Sequence, residues 1–489
     1  HDPSDPYAHN PINVKDRTRI DGTKQENSPA YDFYNLKLEY DFDFFTSTLL
    51  TTHTKNRLGF VYDQREYLDI HEGATFPSEN GFDDDNLNNV TNTNVIELRL
   101  VSESNKFIDW IAGIYYDDSK TIRNNLITYY GPDMDMFGFY PITDGDVAID
   151  TEYETTNGEI AGYGELGFNF KSNTRVVLGY RYSNIKFSDF QKKLDGFFLD
   201  DPVWGEGNMN EGVTFKTEEN VSTYKVGIEQ KFNEDIFAYV LASSGYRPGG
   251  YNEATMNVPF STFHSDKLWN YELGLKTSWL DGRLRANVAA YMLRYDDIQL
   301  NIQDMETFIR ATKNVGKAQV LGVEYSLNYF VNENFQMALN GSLSSPELLE
   351  DIQPTIIDPA GDPNDPDNLI YTGRAGDKLP GSATESFSFS ANYNKPLNDN
   401  FEIFANANYK YVGTRLNNFN LDLDVELPAY SLVDFRTGVS HSSGITIALF
   451  ADNLLDEAIT YNIDRIGSFE AAPTNRPRTV GVNVSYALQ

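Results

Sequence analysis

The residues that could do chemistry are missing where most enzymes need them and dense in a few loops. The chain has no cysteine, which removes thiol nucleophiles, thiolate metal sites and disulfides together. Its six histidines, His1, His9, His53, His71, His264 and His441, show neither an i, i+4 pair nor an H-E-x-x-H context, so no zinc hydrolase is indicated. Gly162-Tyr163-Gly164-Glu165-Leu166-Gly167 fits G-x-G-x-x-G, but a dinucleotide site needs a helix immediately after it. Phe168-Asn169-Phe170, a polar break and another alternating run follow instead. These glycines read as relief of crowding in a curved sheet. No G-x-S-x-G elbow occurs, and carboxylate pairs are too common in so acidic a chain to mark a glycosidase. An enzyme is not indicated.

Two loop types remain as binding candidates. Between Ile357 and Ile370, Asp358, Asp362, Asn364, Asp365 and Asp367 crowd a Pro-stiffened segment. Hard cations such as Ca²⁺ take several such oxygens, although the EF-hand order and closing glutamate are lacking, and a solvated acidic loop is the alternative. Aromatic residues cluster at Tyr129-Tyr130, Phe137, Phe139 and Tyr140, and again at Phe197-Phe198 and Trp204. They can form an interfacial girdle or stack on a ligand or surface partner.

Charge narrows the partners. A net charge of −33 and a pI near 4.4 argue against nucleic acid. Loop acids such as Asp83, Asp84, Asp85, Asp133, Asp135, Asp200 and Asp201 repel an anionic ligand. A neutral or cationic ligand, or an anion bridged by divalent cations, suits them. With a Debye length of about 8 Å at physiological salt, these charges barely act on a ligand seated deeper, near Arg181 or Arg247.

The elements that must carry these loops alternate strictly. Val480, Val482, Val484, Tyr486 and Leu488 share one face of the last run, and Thr479, Gly481, Asn483, Ser485 and Ala487 share the other, as in a half-buried strand. Trp269 to Trp279, Leu321 to Tyr329 and Ile403 to Tyr411 repeat the pattern. Polar breaks at 41–43, 102–106, 171–173, 233–235, 281–282, 332–334, 398–400 and 442–444 read as tight turns. Polar stretches at 55–93, 117–157, 188–219, 247–266, 301–317, 344–382, 413–429 and 456–476 read as long loops. Short and long connections therefore alternate, the asymmetry of an outer-membrane barrel. Mean hydropathy is −0.47, but a barrel exposes only alternate residues to lipid, so the polar set must line a wide, wet lumen. A strand on each side of every tight turn, plus the last one, makes about seventeen.

Particular segments resemble the TonB-dependent outer-membrane receptors of the iron-siderophore type. They are Glu97-Leu98-Arg99-Leu100 with Trp110 to Tyr116, Gly179-Tyr180-Arg181-Tyr182, and Ser244-Gly245-Tyr246-Arg247-Pro248-Gly249-Gly250-Tyr251-Asn252. Tyr271 to Lys276, Asn314-Val315-Gly316, Gly322-Val323-Glu324, Asp452-Asn453-Leu454-Leu455-Asp456 and Arg476-Pro477-Arg478-Thr479 continue the series. In that family the chain closes on an aromatic residue, where Leu488 stands here.

The resemblance implies an all-β transmembrane antiparallel barrel, part of a 22-stranded wall, with short periplasmic turns and long extracellular loops. It also implies a gating plug, absent from this chain, a TonB-type energising protein and a small nutrient ligand, by default an iron-siderophore complex. Outer-membrane lipid and lipopolysaccharide are the expected surroundings, and no cofactor is expected beyond possible Ca²⁺ in the acidic loops. The start at His1 without a signal-peptide h-region reads as a processed chain or a fragment; from the odd strand count and the absent plug, residues 1–30 read as an extracellular loop entered from missing strands, and residues 31–489 as the barrel. Tyr129, Tyr130, Phe137, Phe139, Tyr140, Arg181, Trp204, Arg247 and Tyr251 are the candidate ligand contacts; Asp358, Asp362, Asp365 and Asp367 are the candidate metal ligands. The competing reading is a plugless barrel acting as a pore or as an anchor for a surface partner, which the upstream sequence would separate from transport.

Overall fold

A computed structural model of the chain describes residues 26–63, 81–103, 107–130, 134–136, 140–143, 145–195, 212–252, 262–303, 310–352, 355–356, 369–370, 373–417, 426–466, 469–471 and 473–487. Seventeen strands make one sheet. The first seven are β1 Glu26–Asp41, β2 Phe45–Asp63, β3 Gly81–Ser102, β4 Ile108–Tyr130, β5 Val147–Asn169, β6 Thr174–Asp195 and β7 Val213–Lys231. Then come β8 Ile236–Arg247, β9 Asp266–Trp279, β10 Leu284–Asp296, β11 Ala318–Asn332 and β12 Phe335–Leu348. The last five are β13 Glu385–Pro396, β14 Phe401–Val412, β15 Tyr430–His441, β16 Ile445–Asp452 and β17 Thr479–Tyr486.

Every strand pairs antiparallel with its chain neighbours, so the sheet is a single meander. All eight tight turns fall between the strands where the polar breaks place them, and in a meander they necessarily share one end of the sheet. At the last, Gly444 takes φ 92° and its amide donates to the His441 carbonyl at 2.9 Å; positive φ costs glycine no Cβ clash. β1 and β17 are not paired to each other. β1 begins at Glu26, so the boundary expected at residue 30 lies inside a strand.

The wall has two heights. β1 to β7 run 16 to 23 residues, whereas β8 to β17 run 8 to 15. A tilted strand crosses the apolar layer in about 9–11 residues. At about 3.3 Å per residue and a tilt near 45°, the tallest strands therefore stand roughly 50 Å high. This corrects three expected loops. The stretches 55–93, 117–157 and 188–219 shrink to connections at 64–80, 131–146 and 196–212 because the strands continue into them. Asp117-Asp118-Ser119-Lys120-Thr121 is polar on both faces, since both faces there are wet, and period-2 contrast disappears without any loss of strand.

Curvature shows which face is inside. Tyr246 on β8 donates its hydroxyl to Glu159 on β5 at 3.2 Å, with β6 and β7 between them, and Tyr163 on β5 donates to Glu97 on β3. Side chains of non-adjacent strands converge only on a concave surface. The opposite face carries Leu38, Leu49, Leu98 and Ile114 in one register row, and Ile403, Val439, Ile447 and Val484 in another. Val480, Val482 and Val484 are 72%, 62% and 66% exposed on that outer face, as expected from the alternation.

On the inner face, aromatic rings recur opposite glycines: Tyr163–Gly113, Tyr239–Gly274, Tyr291–Gly322, Phe404–Gly438 and Phe450–Gly481 are direct cross-strand pairs. A Cβ on Gly481 would sit 2.7 Å from Phe450 Cζ, so the ring lies where a side chain would otherwise stand.

At the long-loop end of the shorter half, loop bases are tied in series. Asn252 exchanges two hydrogen bonds with the Thr312 backbone. Ile298, Val315, Ala318, Leu348, Ile352 and Leu379 form a buried cluster, and Lys317 pairs with Glu350 at 2.6 Å; that bond holds the Lys317 ammonium above its ordinary pKa. Arg415 donates to the Thr460 carbonyl, and Asn417 bonds both backbone groups of Ile463.

Candidate functional site

The upper inner wall of β3 to β7 carries a set of linked polar side chains. Alternation on the long strands places Thr91, Thr121, Thr155, Asp189 and Phe215 in one register row. Thr91 and Thr121 share a hydrogen bond at 3.0 Å. Asp189, 7% exposed, accepts from Thr155 Oγ1 at 2.5 Å and from Gln191 Nε2 at 2.5 Å. One row higher, Asn89, Arg123, Tyr153 and Gln191 are register partners, with the Arg123 guanidinium 4.2 Å over the Tyr153 ring. Among the described residues, the buried oxygens Asn89 Oδ1, Asn125 Oδ1 and Thr151 Oγ1 find no hydrogen-bond partner. Such atoms carry a desolvation cost of about 1–3 kcal/mol each until a donor arrives.

Beside this wall, Phe187 from β6 and Phe215 from β7 enclose Tyr251, which a short hairpin of Gly250–Tyr251 with Thr262–Phe263 delivers from the β8–β9 connection. Ring centroids lie 5.4 Å apart for Phe187–Tyr251 and 4.9 Å for Phe215–Tyr251. Burial pushes the Tyr251 phenol above its ordinary pKa, its hydrogen bond with Thr217 pulls the other way and the nearby Asp189 charge adds to the rise. Tyr251 is therefore a neutral hydrogen-bonding phenol at physiological pH.

Arg181 lies lower on the same wall. Its Nη2 donates to Glu159 Oε1 at 2.6 Å, its Nε to Ser183 Oγ at 3.2 Å, and its Cζ lies 4.9 Å from the Tyr115 ring centroid and 5.8 Å from that of Tyr163. Glu159 also accepts from Ser183 at 2.6 Å. Arg247, half-exposed, is bound to Asp266, which is 1% exposed and also accepts the Gln299 amide at 3.1 Å. Both arginines expected to meet an anion are thus committed to carboxylates.

Of the aromatic candidates, Tyr129 and Tyr130 end β4 and do not sit in a loop; Tyr129 is fully buried. Tyr140 opens a short strand, Tyr140–Ile142, paired with Met134–Met136. Phe137, Phe139, Trp204 and the acidic set Asp358, Asp362, Asp365 and Asp367 lie outside the described residues. The structure therefore joins Tyr251 to the wall beneath it and adds Phe187, Phe215, Asp189 and Gln191. Alternation across 185–191 and 213–217 was the available signal for these four, obscured because both faces are polar there.

The family model for the TonB-dependent receptor-like β-barrel matches residues 2–454. The pesticin receptor of Yersinia pestis is 24% identical over 417 residues, which cover 84% of this chain and 54% of the relative. The chain thus spans about half the length of the curated relatives it matches. Among solved structures, the ferric yersiniabactin uptake receptor of Yersinia pestis superposes with a TM-score of 0.71 at 19% identity, covering 94% of this chain and 61% of that one. A siderophore receptor of Acinetobacter baumannii gives 0.68 at 17% identity, with 94% and 64% covered.

Proposed function

The chain belongs to the TonB-dependent receptor-like β-barrel family, and from that premise we propose that it forms the barrel of a receptor for energised uptake of a scarce nutrient, by default an iron-siderophore complex. It is a bacterial outer-membrane protein and a transport-family chain, not an enzyme. In this reading the tight turns face the periplasm and the long connections face the exterior. The tall β3–β7 wall then becomes one side of an extracellular vestibule, and a TonB-type protein supplies energy from the periplasmic side. Lipid and lipopolysaccharide surround the apolar face. The acidic segment 358–367 is proposed to recruit Ca²⁺ when the ligand is anionic.

The observation that carries this reading is the Phe187–Tyr251–Phe215 cluster standing beside Asp189, the register partner of Phe215, on the concave wall. Few, placed polar groups within an aromatic surround are what a small-molecule site requires. The likeness to a ferric yersiniabactin uptake receptor and to a siderophore receptor supports the iron complex. Uptake of radiolabelled ferric siderophores, by cells carrying the whole gene product, tests it. Tyr251→Ala with Phe187→Ala should reduce uptake at least ten-fold at limiting concentration. Uptake equal to wild type, or no uptake of any ferric complex by the unaltered receptor, refutes it. A chelator arm reads the Ca²⁺ requirement.

A further inference from the structure

The outer face of the wall carries a belt of cations at one depth. Two groups of aromatic rings mark that depth. Phe107 and Phe170, 58% and 47% exposed, pack edge to face at 5.6 Å beside the turn ends of β4 and β5. Higher up, Tyr224 stacks on Trp269 at 6.3 Å, and Trp269 on Tyr271 at 6.0 Å. Trp269 stands ten residues from Trp279, the turn end of β9; at about 3.3 Å per residue and a tilt near 45° that is roughly 23 Å. An apolar band of about 25 Å between aromatic girdles has that height. Lys55, Arg57, Lys120, Lys186, Lys267 and Arg294 all stand ten to twelve residues from the turn ends of β2, β4, β6, β9 and β10. Alternation and register put all six on the outer face. At that distance only Asp118 and Asp296 are acids among the outer residues of β2 to β10, although acids outnumber bases 72 to 39 in the chain. On the other side, β12 and β13 present Glu347 and Glu385 there, so the belt is one-sided.

We propose that this belt binds the phosphates of lipopolysaccharide in the outer leaflet, with Lys267 and Arg294 above the Trp269 girdle as its principal subsite. Basic side chains at the edge of an apolar band are placed to meet anionic lipid headgroups. Arg294 is the direct register partner of Trp269, and Lys267 lies two residues further up the same face, within diagonal reach of Arg294. The guanidinium can take two phosphate oxygens at once and the ammonium a third. Asp296, the register partner of Lys267, leaves the subsite with one net positive charge. No ion pair of Lys55, Lys267 or Arg294 occurs among the described residues. Arg57, Lys120 and Lys186 meet Asp32, Glu154 and Glu218 at 2.9, 2.7 and 3.6 Å, but every one of these side chains is more than a third exposed, and pairs of that kind hold their cations weakly. Below the subsite, Leu273 and Leu275, 58% and 39% exposed, continue the same face for acyl chains, which inorganic phosphate lacks. The belt looks outward between β2 and β10, so its exposure does not depend on what fills the lumen. The inference rests on the outer-membrane reading and gives its lipid a site.

The test is native mass spectrometry of the full-length receptor, delipidated in detergent and titrated with diphosphoryl lipid A, phosphate-free lipid A, phosphatidylglycerol and inorganic phosphate. The expected result is diphosphoryl lipid A binding that weakens at least ten-fold when Lys267→Gln and Arg294→Gln are combined, and as much when the phosphates are removed from the lipid. Lys395→Gln, on the outer face one residue from the turn end of β13, should leave binding unchanged. Lys267 and Arg294 are exposed, so their neutral variants keep the strand ladders. Lys120→Gln combined with Lys186→Gln should weaken binding at least three-fold and keeps the test valid should the first pair fail to assemble. Binding unchanged by both pairs, an equal loss in Lys395→Gln, or phosphatidylglycerol or inorganic phosphate held as tightly as diphosphoryl lipid A would overturn the proposal. Ferric-siderophore uptake measured in parallel separates failure of this site from failure of the transport reading.

Discussion

The Tyr246 hydroxyl reaches the Glu159 carboxylate at 3.2 Å across two intervening strands, and the same carboxylate holds Arg181 at 2.6 Å. One acid thus ties three strands of the tall wall, β5, β6 and β8, into a fixed curvature. The Arg181 and Glu159 side chains are 30% and 18% exposed, so water screens the pair only in part. Glu159→Ala should cost about 1.5–3 kcal/mol, the range for hydrogen bonds to charged groups. A double-mutant cycle with Arg181→Ala, followed by thermal unfolding in detergent, checks it. Additive losses would mean that the two side chains do not act together.

The Tyr163–Gly113 pair predicts a reciprocal rescue. A Cβ on Gly113 collides with the Tyr163 ring, whose hydroxyl is held by Glu97, so the ring cannot swing aside without losing that bond. Gly113→Ala should destabilise by about 1–3 kcal/mol, the usual cost of overpacking. Gly113→Ala combined with Tyr163→Ala should lose less than the sum of the single changes. Unfolding midpoints of the three variants decide it, and strict additivity contradicts the close-approach account.

Outer-face polarity gives a sharper asymmetry within one strand. Val482 pairs with Leu449 on the lipid side, whereas Ser485 pairs with Thr446 on the inner side. Val482→Arg should cost about 2–4 kcal/mol near the bilayer midplane. Ser485→Arg should stay within about 0.5 kcal/mol, as surface changes usually do. The amounts of heat-modifiable, assembled barrel recovered from outer membranes measure both. Equal recovery would mean that the faces are assigned wrongly.

The polar breaks and the faces of β16 and β17 were legible because lipid on one side and water on the other impose a period of two. Where both sides are wet, as at Asp117 to Asn125, that contrast vanishes, and a continuing strand looked like a loop. Tyr251 was legible from its motif, but its partners Phe187 and Phe215 were not, because Tyr251 lies 64 positions after Phe187 and 36 after Phe215 and meets them through a hairpin folding back onto the wall rather than through local spacing. Arg181 and Arg247 were found by residue type, yet type alone could not show that Glu159 and Asp266 already neutralise them.

Asp266 is the last and most local test. Its carboxylate is 1% exposed and accepts the Arg247 amide at 3.1 Å, Arg247 Nε at 2.8 Å and the Gln299 amide at 3.1 Å. Gln299 in turn donates to the Pro248 and His264 carbonyls at 3.0 and 2.8 Å, so one acid anchors the bases of two long connections and, through them, the hairpin that carries Tyr251. Asp266→Ala removes all of these acceptors and leaves Arg247 to find water at its half-exposed head. The expected loss is about 2 kcal/mol, typical of bonds to a charged group, and it falls on local opening rather than on the barrel, whose strands keep their ladders. Limited proteolysis within 248–265 should then quicken by roughly 30-fold, since 1.36 kcal/mol is a factor of ten, while the thermal midpoint of the barrel hardly moves. Asp266→Asn keeps one carbonyl oxygen and should fall between the two. Proteolysis at the wild-type rate in Asp266→Ala would show that the latch does not hold the Tyr251 hairpin in place.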